Sequence, residues 1–236
     1  FLARTISRRE KKKKGMLELF RTLVLILPIV GLVGTSNLST AVIILGIAVI
    51  LVFVSSPFYL PFVGLFGAGA GFMGIFLGLE SYRLERIAIW RDPESYEKGF
   101  QTIQGLYAIG SGGLFGTGLG GSIQKLGFVP EAQNDMIFSI ICEELGLVGA
   151  GILLLLFLVL IWRFFLVSVH APDLLGSLIA AGVMGHISIQ VILNVAVVTN
   201  TIPNTGITLP FVSYGGTSIL FLLAEMGLVL GISRKC

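Results

Sequence analysis

Six long apolar stretches limit what this chain can fold into: residues 17–33, 38–55, 58–79, 137–169, 174–199 and 206–232. Each approaches or exceeds the ~20 residues that a helix needs to cross a bilayer core. They are continuously apolar rather than alternating, which argues for helices and against a transmembrane barrel. Composition agrees, because 55% of the residues are hydrophobic and only 12% are charged, about half the charged fraction of a soluble domain. The expected fold is an all-α integral membrane protein with six transmembrane helices and one large loop. The expected organisation is a basic connector at 1–16, three spans in 17–79, the loop at 80–136, three spans in 137–232, and a tail at 233–236.

Charge orients these spans. Arg4, Arg8, Arg9, Lys11, Lys12, Lys13, Lys14 and Arg21 crowd the leading segment, and Arg234 and Lys235 close the tail. The positive-inside rule assigns both ends to the cytoplasm, and six spans then place the 80–134 loop outside. The net charge of +3 does not indicate a nucleic-acid partner. The basic residues form one juxtamembrane run without interleaved aromatics, as expected for attraction to anionic lipid head groups. Cys142 and Cys236 have no CxxC spacing, and parity places them in different environments, so neither a disulfide nor a metal site is indicated. His170 and His186 are too few for a histidine metal centre, and His186 is expected to hydrogen-bond between helices. The chain begins at Phe1 in a charged connector, which reads as a fragment whose earlier spans are missing.

Two polar segments interrupt this pattern, and parity places both outside. In the first, Glu131, Asp135, Glu143 and Glu144 lie where the fourth apolar stretch begins. Ionisable groups at membrane depth are costly and by default indicate function. If 131–144 is helical, Glu131, Asp135, Ser139 and Glu143 fall on one i, i+4 stripe. Asp135 fits least well as an ordinary interfacial acid, because Met136, Ile137 and Phe138 follow at once. In the second segment, Pro203 and Pro210 break the helix, and the polar run Ser213 to Ser218 stands where a span should start. Irregular backbone at that depth has to be buried in protein or line a water-filled cavity, so the two segments suggest a shared outward pocket.

Glycine has two expected uses. Gly67/Gly71 and Gly74/Gly78 are small-xxx-small pairs that let helices approach closely. Residues 110–121, after a short helix expected over 96–109, form a Gly-rich turn whose amides suit an anionic ligand, with Arg91 and Lys125 as nearby cations. Gly116, Gly118 and Gly121 also fit GxGxxG, but no strand precedes them, so a nucleotide fold is not indicated.

Taken together in this order, three segments resemble the SEDS family of shape, elongation, division and sporulation proteins. They are the Gly-rich run 108–120, the run 124–139 with Glu143 to Gly146, and the run 203–218. The resemblance covers essentially the whole chain, and residues 197–206 look closest to the division and sporulation branch. It implies six helices of a ten-helix fold in the bacterial cytoplasmic membrane. It also implies a peptidoglycan glycosyltransferase that polymerises lipid II at the outer face, working with a class B penicillin-binding protein and other divisome proteins. The family's essential aspartate maps onto Asp135. That residue would act as general base on the acceptor hydroxyl or help hold a divalent cation, Mg or Mn, at the leaving pyrophosphate. No organic cofactor is implied. Substrate contacts are expected from Lys125, Glu131, Gln124, Arg91, Ser213, Tyr214 and Asn204. The chain departs from the family pattern at Gln133 and Asn134, where most relatives have His-Thr, and at Ser36 to Ala41, where many carry Pro-Asp-x-Gly-Thr-Ala. Two rival readings are a lipid II flippase, which also needs a polar cavity between helices, and a scaffold that recruits the transpeptidase.

Overall fold

The computed structural model describes residues 15–55, 67, 71 and 81–236, and the regular structure there is helical. In order along the chain these are α1 (Gly15–Ser36), α2 (Leu38–Ser55), α3 (Ser81–Arg91), α4 (Phe100–Gly112), α5 (Ile137–His170), α6 (Leu174–Val198) and α7 (Gly216–Ser233), with short 3-10 turns at Pro93–Ser95, Glu97–Gly99 and Gln124–Leu126. Apolar runs of this length fold as helices because lipid offers no partner for a free amide or carbonyl. Among the described residues, α2, α5, α6 and α7 are long and apolar enough to cross a membrane, and α1 adds the shorter apolar stretch Ile26–Ser36. The protein is a multi-pass membrane protein. The third expected span, 58–79, lies outside the described residues apart from Gly67 and Gly71. A methyl added at either glycine meets nothing within 4 Å among the described residues. Gly74 and Gly78 lie outside the described residues.

The chain divides into two compact units, residues 1–77, 161–189 and 221–236 in one, and 78–160 and 190–220 in the other. In the first unit, α1 and α2 form a hairpin around Asn37. Its Oδ1 accepts the Thr40 amide at 3.1 Å and caps α2. Ile26 and Val30 of α1 pack against Ala41 and Ala48 of α2. Leu51 of α2 joins Leu178 and Ala181 of α6. His186 of α6 meets Glu225 of α7, Nδ1 to Oε2 at 2.9 Å, as expected for a helix-bridging histidine.

The second unit holds both polar segments. α4 follows two 3-10 turns and spans Phe100–Gly112 rather than 96–109, because Pro93 and the Tyr96 and Gly99 turns delay it. Its buried small residues Gly105, Ala108 and Gly112 lie at helical spacing. A methyl at Gly112 would collide with the Cys142 carbonyl of α5, and one at Gly105 with the Met136 side chain. Glycine here permits contact between backbones. The helix α5 itself breaks at Gly146, whose φ of 67° and ψ of −171° leave the helical region. There Gly113 and Leu114 supply the missing acceptors, with Leu147 N donating to Gly113 O at 2.9 Å and Val148 N to Leu114 O at 3.1 Å.

Two expected boundaries are corrected. The last span was expected over 206–232, but α7 begins only at Gly216. Pro203 and Pro210 have no amide to donate, and Gly206 (φ 68°) and Phe211 (φ 63°) take left-handed conformations that no helix admits. The helix expected over 131–144 begins only at Ile137. Glu131, just after Pro130, is left-handed at φ 50°, and 131–136 forms a turn in which Asn134 N donates to Glu131 O at 2.8 Å. Of the predicted stripe, only Ser139 and Glu143 share a helix face.

Candidate active site

Asp135 sits in this turn, two residues before α5 begins at Ile137. Its carboxyl is half-buried, and desolvation lifts its pKa above the ordinary aspartate value. Its own amide opposes the rise, the nearby Glu131 charge adds to it, and the Met136 amide opposes it more weakly. A carboxylate with a raised pKa is a better proton acceptor than an exposed one.

Three contacts fasten the turn to the second polar segment. Tyr214 N donates to Gln133 O at 2.8 Å. Ser213 Oγ donates to Asn134 O at 2.6 Å and accepts the Leu209 amide at 2.7 Å. Asn194 of α6 spends both amide hydrogens, donating to Asp135 O and to Ile207 O, each at 2.7 Å. Because both partners are carbonyls, the orientation of the Asn194 amide is fixed. Its Oδ1 is left buried without a hydrogen-bond partner. Gly206 closes over the site, where a methyl would stand 4.0 Å from Asp135 Oδ2.

The other predicted residues take varied places. Glu131 accepts Asn134 Nδ2 at 2.7 Å and acts on Asp135 through its charge. Lys125 is paired, with Nζ 2.5 Å from Glu144 Oε1. Gln124 keeps a buried Oε1 with no hydrogen-bond partner. Asn204 Oδ1 accepts the Gly206 amide at 3.0 Å, and its carbonyl accepts Arg86 Nη1 at 3.1 Å. Arg91 is exposed at the end of α3. The Tyr214 side chain is exposed, and its amide makes the bond to Gln133. Ser213 is buried and spends its hydroxyl on backbone groups, so it builds the site instead of lining a cavity.

The Gly-rich turn also differs from expectation. Gly116 N is bonded to Gly112 O, Thr117 N to Glu143 O, Gly118 N to Glu144 O and Gly121 N to Gly118 O. These four amides are occupied by backbone carbonyls, while Lys125 and the Gly120 and Ser122 amides face the Glu144 carboxylate. The Glu143 carboxylate accepts the Ser122 hydroxyl and, at 3.1 Å, the Ile123 amide, a positioning role for the loop. Sequence reading missed three contributors. Asn194 was visible only as a lone amide in an apolar span. Arg86 and Trp90 of α3 reach the connection after α6, with Trp90 Nε1 donating to Asn200 O at 2.9 Å.

A family model for the cell cycle proteins FtsW, RodA and SpoVE matches residues 1–236. The chain belongs to the FtsW/RodA/SpoVE family. It is 43% identical over 248 residues to stage V sporulation protein E of Bacillus subtilis strain 168, covering 99% of this chain and 65% of that protein. It is 36% identical over 241 residues to a probable peptidoglycan glycosyltransferase FtsW of Coxiella burnetii, covering 100% of this chain and 64% of that protein. Among solved structures, the rod shape-determining protein RodA of Thermus thermophilus matches at 30% identity with a TM-score of 0.65, over 99% of this chain and 61% of that one. A chain in a peptidoglycan synthase complex that coordinates polymerisation and crosslinking matches at 32% identity with a TM-score of 0.74, over 90% of this chain and 60% of that one. The chain thus spans less than two thirds of the length of these FtsW, RodA and SpoVE relatives.

Proposed function

We propose that this FtsW/RodA/SpoVE chain carries the reacting carboxylate of a peptidoglycan glycosyltransferase that polymerises lipid II at the outer face of the bacterial cytoplasmic membrane. The observation that carries the reading is Asp135, a half-buried carboxyl with a raised pKa, held at the mouth of α5 by contacts from α6 and from the segment before α7. In the proposed step the acceptor sugar's 4-hydroxyl attacks the donor's anomeric carbon. The bond from that carbon to the pyrophosphate oxygen breaks, Asp135 takes the hydroxyl proton, and undecaprenyl pyrophosphate leaves with inversion. Among the described residues no three His, Cys, Asp or Glu side chains gather as a metal set. Among the described residues Glu131 is the acidic neighbour acting on Asp135, so these residues do not by themselves build a cation site, and no step is routed through one. A class B penicillin-binding protein is the proposed partner, supported by the solved relative in a synthase complex, and cell division is the proposed process.

The test is glycan polymerisation from purified lipid II by the full-length protein with its partner. Asp135→Asn is expected to abolish product while the protein remains folded and partner-bound. Retained polymerisation would overturn the assignment of Asp135.

A further inference from the structure

Lys98 and Lys125 bracket 26 residues without a single Asp, Glu, Lys or Arg. The second half of this stretch, with the turn after it, points its apolar side chains outward: Phe115 is 80% exposed, Leu119 82% and Leu126 75%, and Leu114, Ile123 and Phe128 are also exposed. Apolar display of this density marks an interaction surface.

The backbone fixes the depth of the loop. Thr117 N and Gly118 N donate to the carbonyls of Glu143 and Glu144, and Gly113 and Leu114 accept from Leu147 and Val148. The loop therefore runs beside the first turns of α5, at the level of the Gly146 break. From Leu147 onward α5 exposes Leu147, Val148, Ile152 and Leu155 in a stretch of mean hydropathy 2.8, a surface made for lipid. Irregular backbone is stable at such a depth only if its polar groups are satisfied within the protein. The bonds from Gly116, Thr117, Gly118 and Gly121 occupy four of its amides in this way. The charges also conform, because Lys125 and Glu144 pair with each other and the Glu143 carboxylate is covered by Ser122 and Ile123.

We infer that residues 113–128 form a monolayer anchor whose outward side chains insert among the acyl chains of the leaflet on Asp135's side. The partner is the lipid itself. Such an anchor holds the turn that follows, and with it Asp135, near the head-group plane. The inference stands independently of the glycosyltransferase reading.

The test uses the full-length protein with Cys142→Ala and Cys236→Ser and with any other native cysteine removed. A single cysteine replaces Phe115 or Leu119, is labelled with an environment-sensitive fluorophore, and is reconstituted in phosphatidylethanolamine and phosphatidylglycerol vesicles. Nitroxide-labelled acyl chains are expected to quench either site by about half or more, with iodide on both sides of the bilayer quenching little. A label at the exposed Glu94 should show the reverse. Iodide quenching at Phe115 equal to that at Glu94 would overturn the anchor. Shielding from both quenchers would overturn it as well, because protein would then cover the loop.

Discussion

Asp135 combines two demands that conflict, and its pKa shows the conflict. Folding raises the proton affinity of the carboxyl through desolvation and the Glu131 charge. Such a group favours the fold while it is protonated at low pH, and that contribution is lost as pH rises through the raised folded-state pKa. At neutral pH the charged form is therefore a cost. Asp135→Asn should leave the melting temperature unchanged or higher while polymerisation is lost, as measured by thermal unfolding in detergent; a large drop would show that the carboxylate holds the fold. Glu131→Gln removes one of the causes of the raised pKa, so the acid limb of the polymerisation rate should move to lower pH, and an unmoved limb would mean that another group titrates. Asn194→Ala releases the carbonyls of Asp135 and Ile207 together. Turnover should fall about 10- to 100-fold with little change in KM, because misplacing a reacting group costs rate more than binding. Asp135 was legible in the sequence because an acid beside Met136 and Ile137 is costly wherever the chain folds. Asn194 was not, because its meaning comes from carbonyls 59 and 13 residues away.

Between helices, glycine and a half-buried histidine–glutamate hydrogen bond decide how the elements meet. The sequence showed that residues 110–121 needed glycine but not for what purpose. Positive φ at Gly113, Gly116, Gly118 and Gly120 fits a turn of either kind. Only the approach of Gly112 and Gly116 to the α5 backbone shows that the turn completes a broken helix. The α6 to α7 contact was partly legible, since His186 was expected to bridge helices while Glu225 drew no attention. Their side chains are 23% and 29% exposed, so removing one leaves the other poorly solvated in a membrane segment. His186→Leu alone should destabilise by about 2–4 kcal/mol, and His186→Leu with Glu225→Leu by less. A double-mutant cycle in thermal or denaturant unfolding measures this, and additive effects would show that the pair contributes no coupling.

At the scale of the molecule, hydropathy made the described spans α2, α5, α6 and α7 legible because lipid imposes length and continuity on each of them. It overran at the last span, where Ile207, Leu209, Phe211 and Val212 count as apolar although Pro203, Pro210 and Gly206 keep that segment from being helical. Orientation is a separate inference that rests on charge. The basic run before α1 and the Arg234 and Lys235 tail are expected on one side, and the expected count of six spans puts Asp135 on the other. Lipid II polymerisation at the outer face requires that assignment, so topology is an independent check on the proposed function. Cys236 is exposed in the tail, and a cysteine at Glu94 would report the side of the long loop. In intact cells expressing full-length protein with all other cysteines removed, a membrane-impermeant maleimide should label Glu94→Cys and spare Cys236. After permeabilisation it should label both. The opposite pattern would place Asp135 in the cytoplasm, where outer-face glycan synthesis has no use for it.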